Sequence, residues 1–145
     1  MSKLINFIEE SRFMKYKIQI GGETIKINLA QELVIDEDGL NDEAKIQPRI
    51  FAFLSRIHKR LVREAKLAEV DKRKVKATRI EQLEKELSTT AAKAKVEGDR
   101  KYLQALRIQI EWEYKADTLE SILESFKQRA NMIQTISANV RNSDK

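Results

Sequence analysis

Between Leu40 and about Val140 the chain holds one proline, Pro48, and one glycine, Gly98, while apolar residues recur every three or four positions. So long a stretch with so few helix breakers and that period admits little besides extended α-helices. In its second half Trp112, Ala116, Leu119, Leu123, Phe126, Ala130, Ile133, Ser137 and Val140 alternate spacings of four and three, which is a heptad seam. The first half carries Ile50, Leu54, Ile57 and Leu61 at its start and Ile80, Leu83, Leu87, Ala91 and Ala94 near its end, with a more polar middle. Pro48 either starts this first helix or kinks it. The one evident break lies at Val96 to Asp99, where Gly98 ends one helix and Asp99 caps the next. Folding the chain near Glu97 sets Leu54 level with Val140, Leu61 with Ile133 and Leu87 near Ile108. The expected fold is therefore mainly α: a long antiparallel, coiled-coil-like helical hairpin over residues 33–145, with its turn near 96–99. Arms of that size are roughly 65 Å long at the α-helical rise of about 1.5 Å per residue. Two such helices cannot cover their own apolar surface, so Phe51, Phe53, Ile122 and Ile136 are expected to be exposed in a monomer, and a homo-oligomer follows.

Residues 1–32 read differently. Leu4 to Arg12 suits a short amphipathic helix with Leu4, Ile5 and Ile8 on one side. From Lys15 the period becomes two: Tyr16, Ile18 and Ile20, then Gly21-Gly22, then Ile25, Ile27 and Leu29. That pattern predicts a β-hairpin with a two-residue turn, Ile18 opposite Ile25 and Tyr16 opposite Ile27, with Lys15, Lys17 and Lys26 on the other face. A lone hairpin is marginal, so its apolar face must cover the helices or meet another subunit.

The inventory narrows the chemistry. With 145 residues, no cysteine and one histidine, His58, thiolate chemistry and disulfides are excluded and a reducing, cytoplasmic setting fits. No run is long and apolar enough to span a membrane, and the first residues make no convincing signal peptide. No phosphate-cradling glycine loop, nucleophile–base pair or zinc-protease motif is present, so no enzyme and no cofactor is expected. Asp36, Asp38 and Asp42 lack the spacing of a calcium loop and suit helix capping. His58 has no companion ligand and no assigned role.

The net charge of +5 is concentrated. From Arg56 to Arg79 the chain carries Lys59, Arg60, Arg63, Lys66, Lys72, Arg73, Lys74, Lys76 and Arg79 against Glu64, Glu69 and Asp71. At 100° per residue Arg56, Lys59, Arg60, Arg63 and Lys74 share one face, and Leu54, Ile57, Leu61, Ala65 and Ala68 another. A basic helical ridge neutralises phosphates and releases counterions without reading bases; the plainer alternative is a solvated face that only confers solubility. The stretch lacks aromatics, so backbone electrostatics rather than base stacking would dominate, while Tyr16 and Trp112 suit packing.

Val34-Ile35-Asp36, Leu40 and Glu43-Ala44, followed by a long basic helix, a turn and a heptad-bearing helix, resemble phage recombination mediators of the UvsY type over about residues 33–145. Val75-Lys76-Ala77-Thr78-Arg79-Ile80-Glu81 is similar to that family's aliphatic-Lys-Ala-Arg-aliphatic-acid element, associated with single-strand binding. The resemblance implies such roles for Lys76 and Arg79, although Thr78 is an extra residue that turns Arg79 by about 100°, and the β-hairpin lies outside the pattern. It implies a homo-oligomer that binds single-stranded DNA and helps a RecA-like recombinase replace single-strand-binding protein, in the cytoplasm of a bacterial host. The rival expectations are a prefoldin-like coiled-coil chaperone or scaffold, and a protector of double-stranded DNA ends or nuclease inhibitor.

Overall fold

The computed structural model describes residues 3–144. In order it has α1 (Lys3–Glu10), β1 (Lys15–Ile20), β2 (Glu23–Asn28), α2 (Leu29–Glu32), α3 (Leu40–Leu83), α4 (Thr89–Val96) and α5 (Arg100–Ser143). The fold is mainly α, two long helices with a small N-terminal antiparallel sheet, as the periodicity indicates. Two compact units are defined, Met1–Phe53 with Ile122–Lys145, and Leu54–Ser121.

In the first unit the strands pair in the expected register, Tyr16 with Ile27 and Ile18 with Ile25. Gly21 and Gly22 both take positive φ, 58° and 80°, the backbone that a two-residue turn between right-twisted strands requires. Ile18 and Leu29 are buried, and α2 packs on both strands. α3 begins at Leu40 and runs through Pro48, so the proline lies inside the helix rather than starting it. It cannot donate to the carbonyl one turn before it.

The ends of the long helices meet in this unit around a buried polar cluster. The Gln47 side chain donates to the Phe126 carbonyl at 2.7 Å and accepts from Arg129 at 2.6 Å. Arg129 also donates to the Val34 carbonyl at 3.0 Å and is ion-paired with Glu43. Gln47 and Arg129 are only 6% and 7% exposed, so this guanidinium lies in the seam between Ile122, Phe126 and Ile133. The seam has shifted by one position from the expected one: Ile122 and Arg129 are the buried residues beside Leu123 and Ala130. Ile122 is thus not an exposed residue, Ile136 is half-buried, and Val140 is 48% exposed; Phe51 and Phe53 are exposed as expected.

The second unit corrects the position of the fold-back. A turn does follow Val96, and Asp99 caps α5 by accepting from the amides of Lys101 and Tyr102 at 3.1 and 3.2 Å. The reversal, however, occurs between Leu83 and Thr89. Lys76 is bonded to Glu97 at 3.0 Å and Arg79 to Asp99 at 2.9 Å, so α4 already returns along α3, and α5 continues the return. Leu87 is therefore in the turn and does not approach Ile108. No proline or glycine marks this break. Ser88 does, its hydroxyl accepting from the Ala91 amide at 3.2 Å, followed by the β-branched Thr89 and Thr90. The register of α4 changes in consequence: Ala92 and Val96 are buried, and Ala91 and Ala94 are exposed. Leu54, Leu61, Ala65 and Ala68 of α3 and Tyr102, Ala116 and Leu119 of α5 complete the buried set of this unit.

Candidate nucleic-acid interface

The basic stretch lies wholly on α3 within the second unit, and the helix separates it into two sets. The seam residues Leu61, Ala65 and Ala68 recur at intervals of four and three, and continuing that interval reaches Lys72, then Val75 and Lys76, then Arg79. These three cations are half-buried because they occupy seam positions. Two have carboxylate partners from across the turn. Lys76 bonds Glu97, and its ammonium sits 5.3 Å from the centre of the Tyr102 ring. The Glu97 hydrogen bond raises the Lys76 pKa above its ordinary value. Arg79 bonds Asp99, and chiefly for that reason the Asp99 carboxyl titrates below its ordinary value, helped by the capped Tyr102 and Lys101 amides.

The other set faces away from the seam. Lys59, Arg60, Arg63, Lys66, Arg73 and Lys74 are exposed, as is Arg56 one turn earlier. Arg60 pairs with Glu64 at 3.6 Å and Arg73 with Glu69 at 2.6 Å, each one turn along the same helix. Among the described residues Arg56, Lys59, Arg63, Lys66 and Lys74 have no ion-pair partner. With Val70 between the last two, they form a single row along the helix, opposite Leu61, Ala65 and Ala68. Successive cations from Arg56 to Lys66 are separated by about 5 Å of helix rise.

The basic excess of this unit lies on α3, whereas on α5 Arg100, Lys101, Arg107 and Lys115 are balanced by Glu111, Glu113, Asp117 and Glu120. Glu113, Asp117 and Glu120 on α5 are exposed, so a polyanion is drawn to the α3 edge and repelled by this part of α5. No aromatic side chain accompanies the basic row. Tyr102 is buried, Trp112 is half-buried with the Lys115 ammonium 4.5 Å from its ring centre, and Tyr114 is exposed on α5. His58 is half-buried. Asp36 caps the short turn at Glu37–Gly39 by accepting from the Asp38 amide at 3.1 Å.

The nine cations named from the sequence therefore do not form one surface. Lys59, Arg63, Lys66 and Lys74 stand free beside Arg56, Arg60 and Arg73 stand beside them in local pairs, Lys72 is half-buried at a seam position, and Lys76 and Arg79 hold the fold-back. Sequence reasoning also missed Arg129, which stands next to Ala130 of the expected seam and gave no signal of burial until the seam was seen to shift by one position. No known family pattern, curated protein or solved structure matches the chain. Among the described residues no helix is long and apolar enough to cross a membrane.

Proposed function

We propose that the protein is a homo-oligomeric, single-stranded-DNA-binding recombination mediator that helps load a RecA-like recombinase onto DNA coated by single-strand-binding protein, in the cytoplasm of a bacterial host. The observation that supports strand binding is the row of unpaired cations Arg56, Lys59, Arg63, Lys66 and Lys74 on the outer face of α3. Such a row engages phosphates by charge and leaves bases unread, which suits a protein that must act on any sequence. Repeating the row in an oligomer raises strand affinity through multiple weak contacts. Lys76 and Arg79, the positions implied by the UvsY-type resemblance, are secondary in this reading, because a phosphate reaching them has to displace Glu97 or Asp99.

The test is a salt titration of binding to single- and double-stranded DNA. Five cations each engaging one phosphate give a slope of log affinity against log salt of about −3.5 per chain on single strands. Replacing Arg56, Lys59, Arg63, Lys66 and Lys74 by glutamine should remove most of that slope, and unchanged binding would sink the site. Preference for duplex ends would favour end protection. Absence of binding, with suppressed aggregation of a client protein, would favour a chaperone. For the mediator step, the parent protein should shorten the lag before a RecA-like recombinase assembles on strands coated with single-strand-binding protein.

A further inference from the structure

On one face of the second unit α3 and α5 leave an open groove of about 410 Å³, lined by Ala68, Asp71 and Val75 from α3 and by Lys101, Gln104, Ala105 and Ile108 from α5. The notch exists because an alanine stands on each helix where a larger side chain would fill it. Ile108 projects at the lip and is 49% exposed. Asp71 and Lys101 stand on opposite lips, both exposed, and neither has an ion-pair partner among the described residues.

We infer that this groove is where a second copy of the chain docks, through a two-fold axis that runs along the groove parallel to the helices. The inference rests on the self-association in the proposed function and supplies its surface. Because α3 and α5 run antiparallel from the Arg79–Asp99 pair, counting along each helix sets Ala68, on the groove floor, near the level of Ile108, and Val75 near that of Lys101. Rotation about an axis parallel to the helices preserves these levels and lays α5 of the second copy over α3 of the first. Ile108 of the second copy then meets the small Ala68, and its Lys101 comes to the turn that carries Asp71. Both contacts occur twice, as an isologous interface demands. Large side chain against small and base against acid make the face self-complementary. A stable pair buries about 1,200–2,000 Å² in total, so the groove is the centre of a contact that continues along the same two helices. Arg63 and Lys66 stand on the side of α3 away from Asp71 and stay open to a strand in both copies, while Lys74, one turn from Asp71, borders the contact.

The test uses the full chain without nucleic acid, with mass measured by sedimentation and helicity by circular dichroism. Asp71→Lys opposes two lysines at each contact and Lys101→Asp two aspartates, so each variant should associate at least about tenfold more weakly than the parent while keeping its helicity. An equal mixture of the two should recover the parental mass, because every contact then opposes a lysine to an aspartate again. Ile108→Asp should dissociate the parent, and no mixing should rescue it. Parental association in either charge variant, or a mixture that stays dissociated, overturns the groove while leaving self-association standing. A monomeric parent overturns both, and leaves strand binding to its own salt titration.

Discussion

Arg129 ties α5 to α3 and to the backbone at Val34 in the first unit. An arginine this deeply buried is tolerated because Glu43, Gln47 and the Val34 carbonyl receive its protons, and removing it leaves a carboxylate and two acceptors facing an apolar seam. Arg129→Met should destabilise the chain by about 3 kcal/mol, read as a lower urea midpoint. Tyr16 tests the opposite case. Its hydroxyl is buried without a hydrogen-bond partner among the described residues, and burial pushes its pKa from 10.0 up to about 12. The folded value lies above the unfolded one, so the phenol stabilises the fold fully below pH 10 and that contribution is lost as pH rises towards 12. Tyr16→Phe should change stability at pH 7 by no more than about 1 kcal/mol. It should also flatten the decline in melting temperature measured above pH 10.

At the scale of elements, the fold-back depends on Ser88 and on the two ion pairs beneath it. Ser88→Ala removes the side-chain cap of α4 and should cost about 1 kcal/mol in a denaturant titration. Asp99 combines the α5 cap with the Arg79 pair, so Asp99→Asn keeps part of the cap and loses the charge. Its folded pKa lies below the ordinary 3.8, so its contribution is complete above that value and is lost as pH falls through the depressed one. Lys76, raised above 10.5, contributes below that value and loses its effect above it. The difference between parent and Asp99→Asn in thermal melts should therefore be constant at neutral pH and shrink in acid. A difference that persists unchanged to the lowest pH would remove the Arg79 pair from the account. The seam also explains why this part of α3 reads as polar: Lys72, Lys76 and Arg79 occupy seam positions that a search for apolar residues passes over.

For the whole molecule, the second unit assigns different work to faces of the same helix. α3 presents cations on its outer row, packs apolar residues and two paired cations in its seam, and contributes Asp71 to the groove on its flank. Strand binding and self-association should therefore separate by mutation. Asp71→Lys should weaken assembly while leaving the per-chain salt slope near its parental value. The glutamine variants of the outer row should lower that slope while leaving the mass measured by sedimentation unchanged.

Period and turn chemistry alone determined the helical class, the Gly21-Gly22 hairpin with its register, and the Asp99 cap, because each depends on neighbours along the chain. The sheet register was legible since a slip of one residue would turn Ile18 and Ile25 to the wrong face. The helix register was not. Apolar residues that recur every three or four positions match again after a slide of a few turns, so Leu54 against Val140 satisfies the pattern as well as the true alignment does. Long-range contacts made the choice: Lys76 with Glu97, Arg79 with Asp99, and Gln47 with the Phe126 carbonyl and Arg129. Those contacts also decided which cations are free. Charge density is a property of the sequence, but whether a lysine meets solvent or a carboxylate depends on what the fold-back brings beside it, and only the tertiary structure decided that.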